Sequence, residues 1–168
     1  MTGPETTMFG VNGWVPNNPT LPALVYRGVV PVGAPEPIEL TLAGNGWPPD
    51  WREGVFDFHH YHSTAHEALA CVTGSAHLML GGEGGREIVV EASDLLVLPA
   101  GTGHRRIDAS ADSLLVGAHP DGQAWDVCRE PVDAETLARI AAVPVPGIDA
   151  VGGEGGSPTR LWEDRRST

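Results

Sequence analysis

Apolar residues along this chain follow two patterns. Three runs are apolar almost without a break: Ala68 to Val72 after Glu67, Leu95 to Leu98, and Leu114 to Ala118 after Ser113. Runs of this length, bounded by Gly, Pro, Ser or Asp, predict short strands covered on both faces. A second pattern alternates, as in Ala76-His77-Leu78-Met79-Leu80, and predicts a strand with one face on a core. Residues 86–91 predict a further strand, and Leu24 to Val30 the first one. Two segments carry a helical period instead. Over Glu36 to Ala43, Pro37 suits a first turn, and Ile38 and Leu42 share a face. Over Asp133 to Ala142, Asp133 can cap the helix, while Leu137, Ile140 and Ala141 form its apolar face. Gly82-Glu83-Gly84-Gly85 reads as a hairpin turn, not a phosphate cradle, because no Lys-Ser/Thr and no helix follows. The expected chain is all-β, with one or two short peripheral helices.

Composition narrows this picture. A length of 168 residues predicts one domain, large enough to bury a core without staples. The 22 Gly and 15 Pro fall between the apolar runs, so they mark a turn-rich protein rather than disorder. A formal net charge of −12 argues against nucleic acid and against anionic membranes as partners. No apolar span has the length of a membrane helix, and Met1 onward lacks a basic-then-apolar leader pattern. Two cysteines, Cys71 and Cys128, make no disulfide framework. The expected location is therefore the reducing cytoplasm.

The chemistry concentrates in one stretch. Its spacing is Gly54, five residues, His60-Tyr61-His62, four residues, Glu67, six residues, Gly74, answered downstream by Pro99-Ala100-Gly101-Thr102-Gly103-His104. Residues two apart on a strand point to the same face, whereas on a helix they diverge by about 200°. His60 and His62 thus predict a strand, and Glu67 is expected on the partner strand of a hairpin, opposite them. Gly101 and Gly103 allow a sharp bend that delivers His104 into a following strand. Three imidazoles and a carboxylate then converge on one cation. The bland reading, four residues that only hydrogen-bond inside a barrel, leaves a buried carboxylate without a cation to neutralise it, which is costly.

These two stretches resemble the signature motifs of the cupin superfamily. The first matches at Gly54, His60, His62, Glu67 and Gly74, and the second at Pro99, Gly101 and His104. Two positions depart: Ser93 stands where Gly is usual, and Asp108 where Asn is frequent. A narrower likeness, carried by Pro16 to Pro19, Gly46-Trp47, Trp51-Arg52, Leu80-Gly81-Gly82, Gly117 to Pro120 and Trp125-Asp126, is to small bacterial cupins of the YjlB type. The resemblance implies a single-domain antiparallel double-stranded β-helix, or jelly roll, with the ligands pointing into its lumen. The barrel core would span about residues 54–120, with an N-terminal arm over 1–33 and a helix and wrapping tail over 131–168. It implies a homodimer joined through edge strands, with the N-terminal segment as a candidate swapped or bridging strand. It also implies that Glu67 acts as a hinged ligand and occasional base.

Other residues have weaker claims. By alternation His59 and His66 face away from the lumen, and His77 reads as structural. His119, ending the strand after that of His104, is a candidate for the pocket wall. Cys71 shares parity with Glu67 and Leu69 and faces the lumen as a small hydrophobe. Phe58, Leu69, Leu78, Leu80 and Val97, or their neighbours, are the expected barrel wall. Trp47, Trp51 and Trp125 are the tryptophans expected to edge a cavity, and the chain beyond Val143 is expected to wrap the surface or fray.

Three histidines and a carboxylate suit a divalent first-row ion: iron, manganese, nickel, copper or zinc. Four protein ligands on a six-coordinate ion leave two positions for a substrate with vicinal oxygens, with dioxygen as the expected co-substrate. The leading expectation is a dioxygenase-like enzyme acting on an oxygen-bearing organic acid, diketone or similar chelating molecule. An isomerase using the metal as Lewis acid, a non-catalytic small-molecule-binding barrel, and a barrel merely stapled by its metal are the competing readings.

Overall fold

The computed structural model of the protein describes residues 3–154 and 161–162. In chain order its elements are β1 (Glu5–Thr7), β2 (Ala23–Tyr26), α1 (Glu36–Gly44), β3 (Pro49–Glu53), β4 (Glu67–Thr73), β5 (Ser75–Leu80), β6 (Arg86–Glu91), β7 (Leu95–Leu98), β8 (His104–Ala109), β9 (Leu114–Ala118), α2 (Ala134–Ala142), β10 (Ile148–Asp149) and β11 (Gly153–Glu154). One antiparallel sheet has the order β1-β2-β7-β4-β9-β3, and a second has the order β6-β5-β8. The chain passes back and forth between them, so this is an antiparallel jelly roll with two short helices.

Side-chain parity explains the two apolar patterns. On β4, Leu69 and Cys71 face inward and join Leu78, Leu80, Ile88, Val90, Leu96, Leu98 and Leu115 in the lumen between the sheets. Ala68, Ala70 and Val72 face outward, into a second core with Ile38 and Leu42 of α1, Trp47, Ala150 and Trp162. A strand buried on both faces has no place for polar residues, hence the unbroken apolar run. On β5 and β6 only alternate residues are buried, and Glu87, Val89 and Glu91 meet solvent.

The crossings between sheets need unusual backbone. Ser93, between β6 and β7, has φ +93°, a region favouring glycine. It is held there because its N–H donates to Cys71 O (3.0 Å) and its carbonyl accepts from Val29 and Val30 (2.8 and 2.9 Å). The departure from the usual glycine therefore stores strain of about 1–3 kcal/mol.

Several expectations are corrected. The first strand ahead of α1 is β1, and β2 stops at Tyr26 because the chain turns at Gly28, φ +70°. Leu137 and Ala141 of α2 are exposed, and only Ile140 is buried. Val97 faces the outer core rather than the lumen. The tail does not simply wrap the surface: Ala150 and Trp162 are fully buried, and Trp162 Nε1 donates to Pro22 O at 3.0 Å. Residues 155–160 and 163–168 of that tail lie outside the described residues. Within the chain, side chains of the N-terminal arm meet the turn after β5 and the approach to β8. Asn17 donates to Gly81 O (3.1 Å) and accepts from Gly103 N (3.0 Å), while Asn12 donates to Gly81 O at 3.0 Å.

Candidate metal centre

The histidine pair is placed by β8. His60 N–H donates to His104 O (3.2 Å) and His104 N–H to His60 O (2.9 Å), so the segment extends the small sheet by one bridge. Tyr61 is tied the other way, to Cys128, by paired backbone bonds of 3.0 and 2.9 Å. Gly101, at φ +90°, donates to His62 O at 2.7 Å and turns the chain toward His104. Glu67 arrives differently from the expected hairpin. Its strand β4 lies between β7 and β9, so the carboxylate comes from the large sheet and meets the imidazoles across the lumen.

The five polar residues of this cluster, His60, His62, Glu67, His104 and His119, are each 2–4% exposed. Glu67 Oε2 lies 3.3 Å from His62 Nε2 and 3.0 Å from His119 Nε2, and Oε1 lies 3.2 Å from His104 Nε2. The His60 and His104 rings are 4.1 Å apart between centroids. Three of the imidazoles are anchored alike from behind. His60 Nδ1 lies 3.0 Å from Phe58 O, His104 Nδ1 lies 2.9 Å from Thr102 O, and His62 Nδ1 contacts Asp126 O. A carbonyl only accepts, so each Nδ1 carries a proton, and in the neutral ring Nε2 is left with its lone pair.

That anchoring tests the fit of a metal. In neutral His62 and His104 the inward Nε2 is an acceptor, yet it faces a carboxylate oxygen, another acceptor. A cation between them removes the conflict. Donors about 2.0–2.1 Å from one ion stand about 3.0 Å apart at octahedral corners and about 3.4 Å apart at tetrahedral ones. The contacts of Glu67 with His62 and His104, 3.3 and 3.2 Å, fall in that interval. The residues present fit a first-row divalent ion.

The same geometry sets the charges. Burial pushes His60 down to about 3, with His104 adding to the effect, so this ring is neutral. Burial alone would lower His62 as well, but the Glu67 carboxylate outweighs it and holds His62 above the ordinary imidazole value. Burial works against an ionised Glu67. Without a cation, protons take its place: the His62 charge and the hydrogen bonds from His104, His119 and His62 prevail, holding Glu67 well below the usual carboxylate range.

A cavity of about 130 Å³ opens above the donors, lined by Trp51, Glu53, Gly54, Val55, Phe56 and Trp125. Trp51 can lie flat there only because Gly117, its partner on β9, has no side chain: a Cβ at 117 would stand 2.0 Å from Trp51 Cε2. Leu69, Cys71 and Leu78 lie deeper, as the apolar floor of the lumen. Burial pushes the Cys71 thiol up to about 11, which suits an inert packing role. Phe58 is not part of the cavity lining; it stacks on Phe56 at 4.9 Å with the Arg129 guanidinium 3.7 Å over its ring. Trp47 is fully buried in the outer core, where its Nε1 donates to Ile148 O at 2.9 Å, and it does not line the cavity above the donors.

The remaining histidines stand apart from the cluster. His66 is buried against Trp162, with Ala100 N–H donating to its Nδ1 at 2.9 Å. His77 pairs with Glu87 on the outer face at 3.2 Å, and His59 is half-buried.

The chain is 32% identical over 161 residues to YjlB of Bacillus subtilis (strain 168), a protein described as uncharacterized; the match covers 94% of this chain and 96% of that one. The chain belongs to the YjlB family. Among solved structures, a DUF861 family protein from Thermotoga maritima is similar with a TM-score of 0.33 and 23% identity, over 58% of this chain and 94% of that one. No family model matches the chain.

Sequence reasoning missed several groups that shape this YjlB-family site. Asp126 anchors His62 through its carbonyl and, through its carboxylate, holds Ser63 by both N–H (2.7 Å) and hydroxyl. Asp50 accepts from Trp125 Nε1 and lies 3.8 Å from His119 Nδ1. Both aspartates are more than fifty positions from the residues they hold, so no local pattern points to them. Val55 and Phe56 directly follow the motif glycine Gly54, a signal that could have placed them at the cavity.

Proposed function

We propose that this YjlB-family protein is a cupin with a metal-dependent small-molecule activity, dioxygenase-like, toward an oxygen-bearing organic acid, diketone or similar chelating substrate. His60, His62, Glu67 and His104 would hold a divalent first-row ion. The observation that carries this reading is the set of inward Nε2 lone pairs around one ionised carboxylate, opening onto a cavity rather than closed over as in a purely structural site.

The ion, when bound, supplies Lewis acidity toward chelating oxygens and, if redox-active, electron-transfer chemistry with dioxygen. The protein contributes the rest. Backbone carbonyls of Phe58, Thr102 and Asp126 hold the rings in orientation, which tunes ligand basicity. Trp51, Val55, Phe56 and Trp125 shape the cavity and exclude water from it. Glu67 is kept ionised and so accepts hydrogen bonds at Oε1 and Oε2, though its lowered value makes it a weak base suited only to a strongly acidified substrate O–H. About 130 Å³ admits only a small substrate, or the reactive end of a larger one. Pairing into a homodimer belongs to the same proposal and is checked by sedimentation equilibrium.

The test is metal analysis of the purified protein, then an oxygen electrode with diketones, hydroxy acids and catechols. Near-stoichiometric metal with oxygen uptake on one class supports the reading. Turnover without oxygen consumption moves it to an isomerase, and tight ligand binding without turnover to a binding protein. At free metal a hundredfold above Kd, loading adds about 2.7 kcal/mol, or roughly 5–10 °C in Tm, and chelation removes it.

A further inference from the structure

His119 stands outside the four-residue motif, yet it is built like a ligand. Antiparallel register pairs Ala118 of β9 with Ala68 of β4, so the next residue on β9 lies beside Glu67 on the same face of the large sheet. Leu115 faces the lumen from β9 and Gly117 meets Trp51 at its mouth; His119 continues that parity. Its Nε2 approaches Glu67 Oε2 to 3.0 Å, closer than either His62 or His104 comes to the carboxylate. The ring stacks on Trp125 at 5.6 Å and 17°, which fixes its plane. Its other nitrogen, Nδ1, faces Asp50 Oδ2 at 3.8 Å. Both nitrogens therefore face carboxylates, and a neutral ring has only one N–H to offer.

The donors also group in two sets. His60, His62 and His104 present ligand atoms within 4.8 Å of one another, and so do His62, Glu67 and His119. The sets share His62. We propose that His119 is a fifth metal-binding side chain, and that the centre offers its cation two overlapping donor sets, one from the small-sheet side and one from the large sheet. This rests on the reading of the cluster as a metal centre. A ligand held by the backbone register of β9 against a carboxylate on β4 makes the large-sheet set competent without His104.

The experiment is Co²⁺ titration of the full chain by calorimetry and by visible absorption, with folding checked by near-UV circular dichroism. His119→Ala is expected to weaken Co²⁺ binding more than about tenfold and to alter the absorption spectrum. His119→Gln, which can still hydrogen-bond Glu67 but ligates poorly, is expected to resemble His119→Ala. His104→Ala is expected to keep a weakened one-to-one site, which His104→Ala/His119→Ala loses. A His119→Gln protein with wild-type affinity and spectrum would overturn the proposal and leave His119 as a positioning residue only. So would equal affinities for His104→Ala and the double variant. Absence of Co²⁺ binding by the wild type would overturn the metal reading itself, and this inference with it.

Discussion

The two sheets of this barrel are buried in different ways. The six-stranded sheet is sandwiched: its inner face fills the lumen, and its outer face lies under α1, Trp47, Ala150 and Trp162. The three-stranded sheet has one covered face, and its outer residues Glu87, Val89 and Glu91 are in water. The polar cluster straddles the divide. Glu67 and His119 stand on or next to the sandwiched sheet, while His104, and His60 through its bridge, belong to the thin one. Opening a segment costs less where fewer groups are buried, so the carboxylate rests on the firmer wall and His60 and His104 on the more yielding one. Inter-sheet spacing sets the distance from Glu67 to His104, while pairing within each sheet sets those of Glu67 to His119 and of His60 to His104.

The sharpest challenge to that contrast is Trp47→Ala. If the outer layer is a true second core, the loss is about 3–5 kcal/mol in urea unfolding; a loss below about 1 kcal/mol would reduce that layer to decoration. The next challenge is pH, applied to chelator-treated protein. His60 has its folded value near 3 against an ordinary 6.5, so below pH 6.5 the unfolded chain takes a proton the folded one refuses. Stability must therefore fall as pH drops from 6.5 toward 3. Glu67, depressed, loses its contribution only as pH falls through its own lowered value, and His62, raised, contributes below 6.5 and loses that as pH rises. His60→Gln should flatten the decline between pH 6.5 and 4 in chemical-denaturation series; an unchanged slope would mean that ring is not held neutral by the thin sheet.

Ser93→Gly relieves the left-handed backbone at a crossing between the sheets. It should gain about 1 kcal/mol, read as a rise of about 2–4 °C in Tm. A fall would show that the serine side chain compensates its strain. Val89→Ala, on the wet face of the thin sheet, should change stability by less than about 0.5 kcal/mol; a core-sized loss would erase the distinction between the walls.

Much of this molecule was legible because strand parity is strictly local. Glu67, Leu69 and Cys71 share a face by counting in twos, and the alternating run at Ala76 to Leu80 marks the sheet with one wet side. Pairing was not legible. The neighbours of β4 are β7 and β9, tens of residues away, so the expected hairpin between the histidine pair and Glu67 had no physical basis beyond proximity in sequence. The spacing brought His60, His62, Glu67 and His104 to attention, and the structure gathers their side chains. The closeness of His119 to Glu67 follows from register, which spacing does not contain. Composition misled at the tail. A Gly- and Pro-rich stretch looks like surface, yet one indole, Trp162, is large enough to seat itself in the outer core.

The notch at Gly117 has a consequence for how such a barrel could change its guests. Trp51 reclines where a methyl group is missing, so the doorway's width is decided at a position that supplies no donor atom. Any side chain there would tip the indole and redraw the opening while the imidazoles and carboxylate stayed put. A lineage could thus choose new visitors at a single codon and leave its inner chemistry alone.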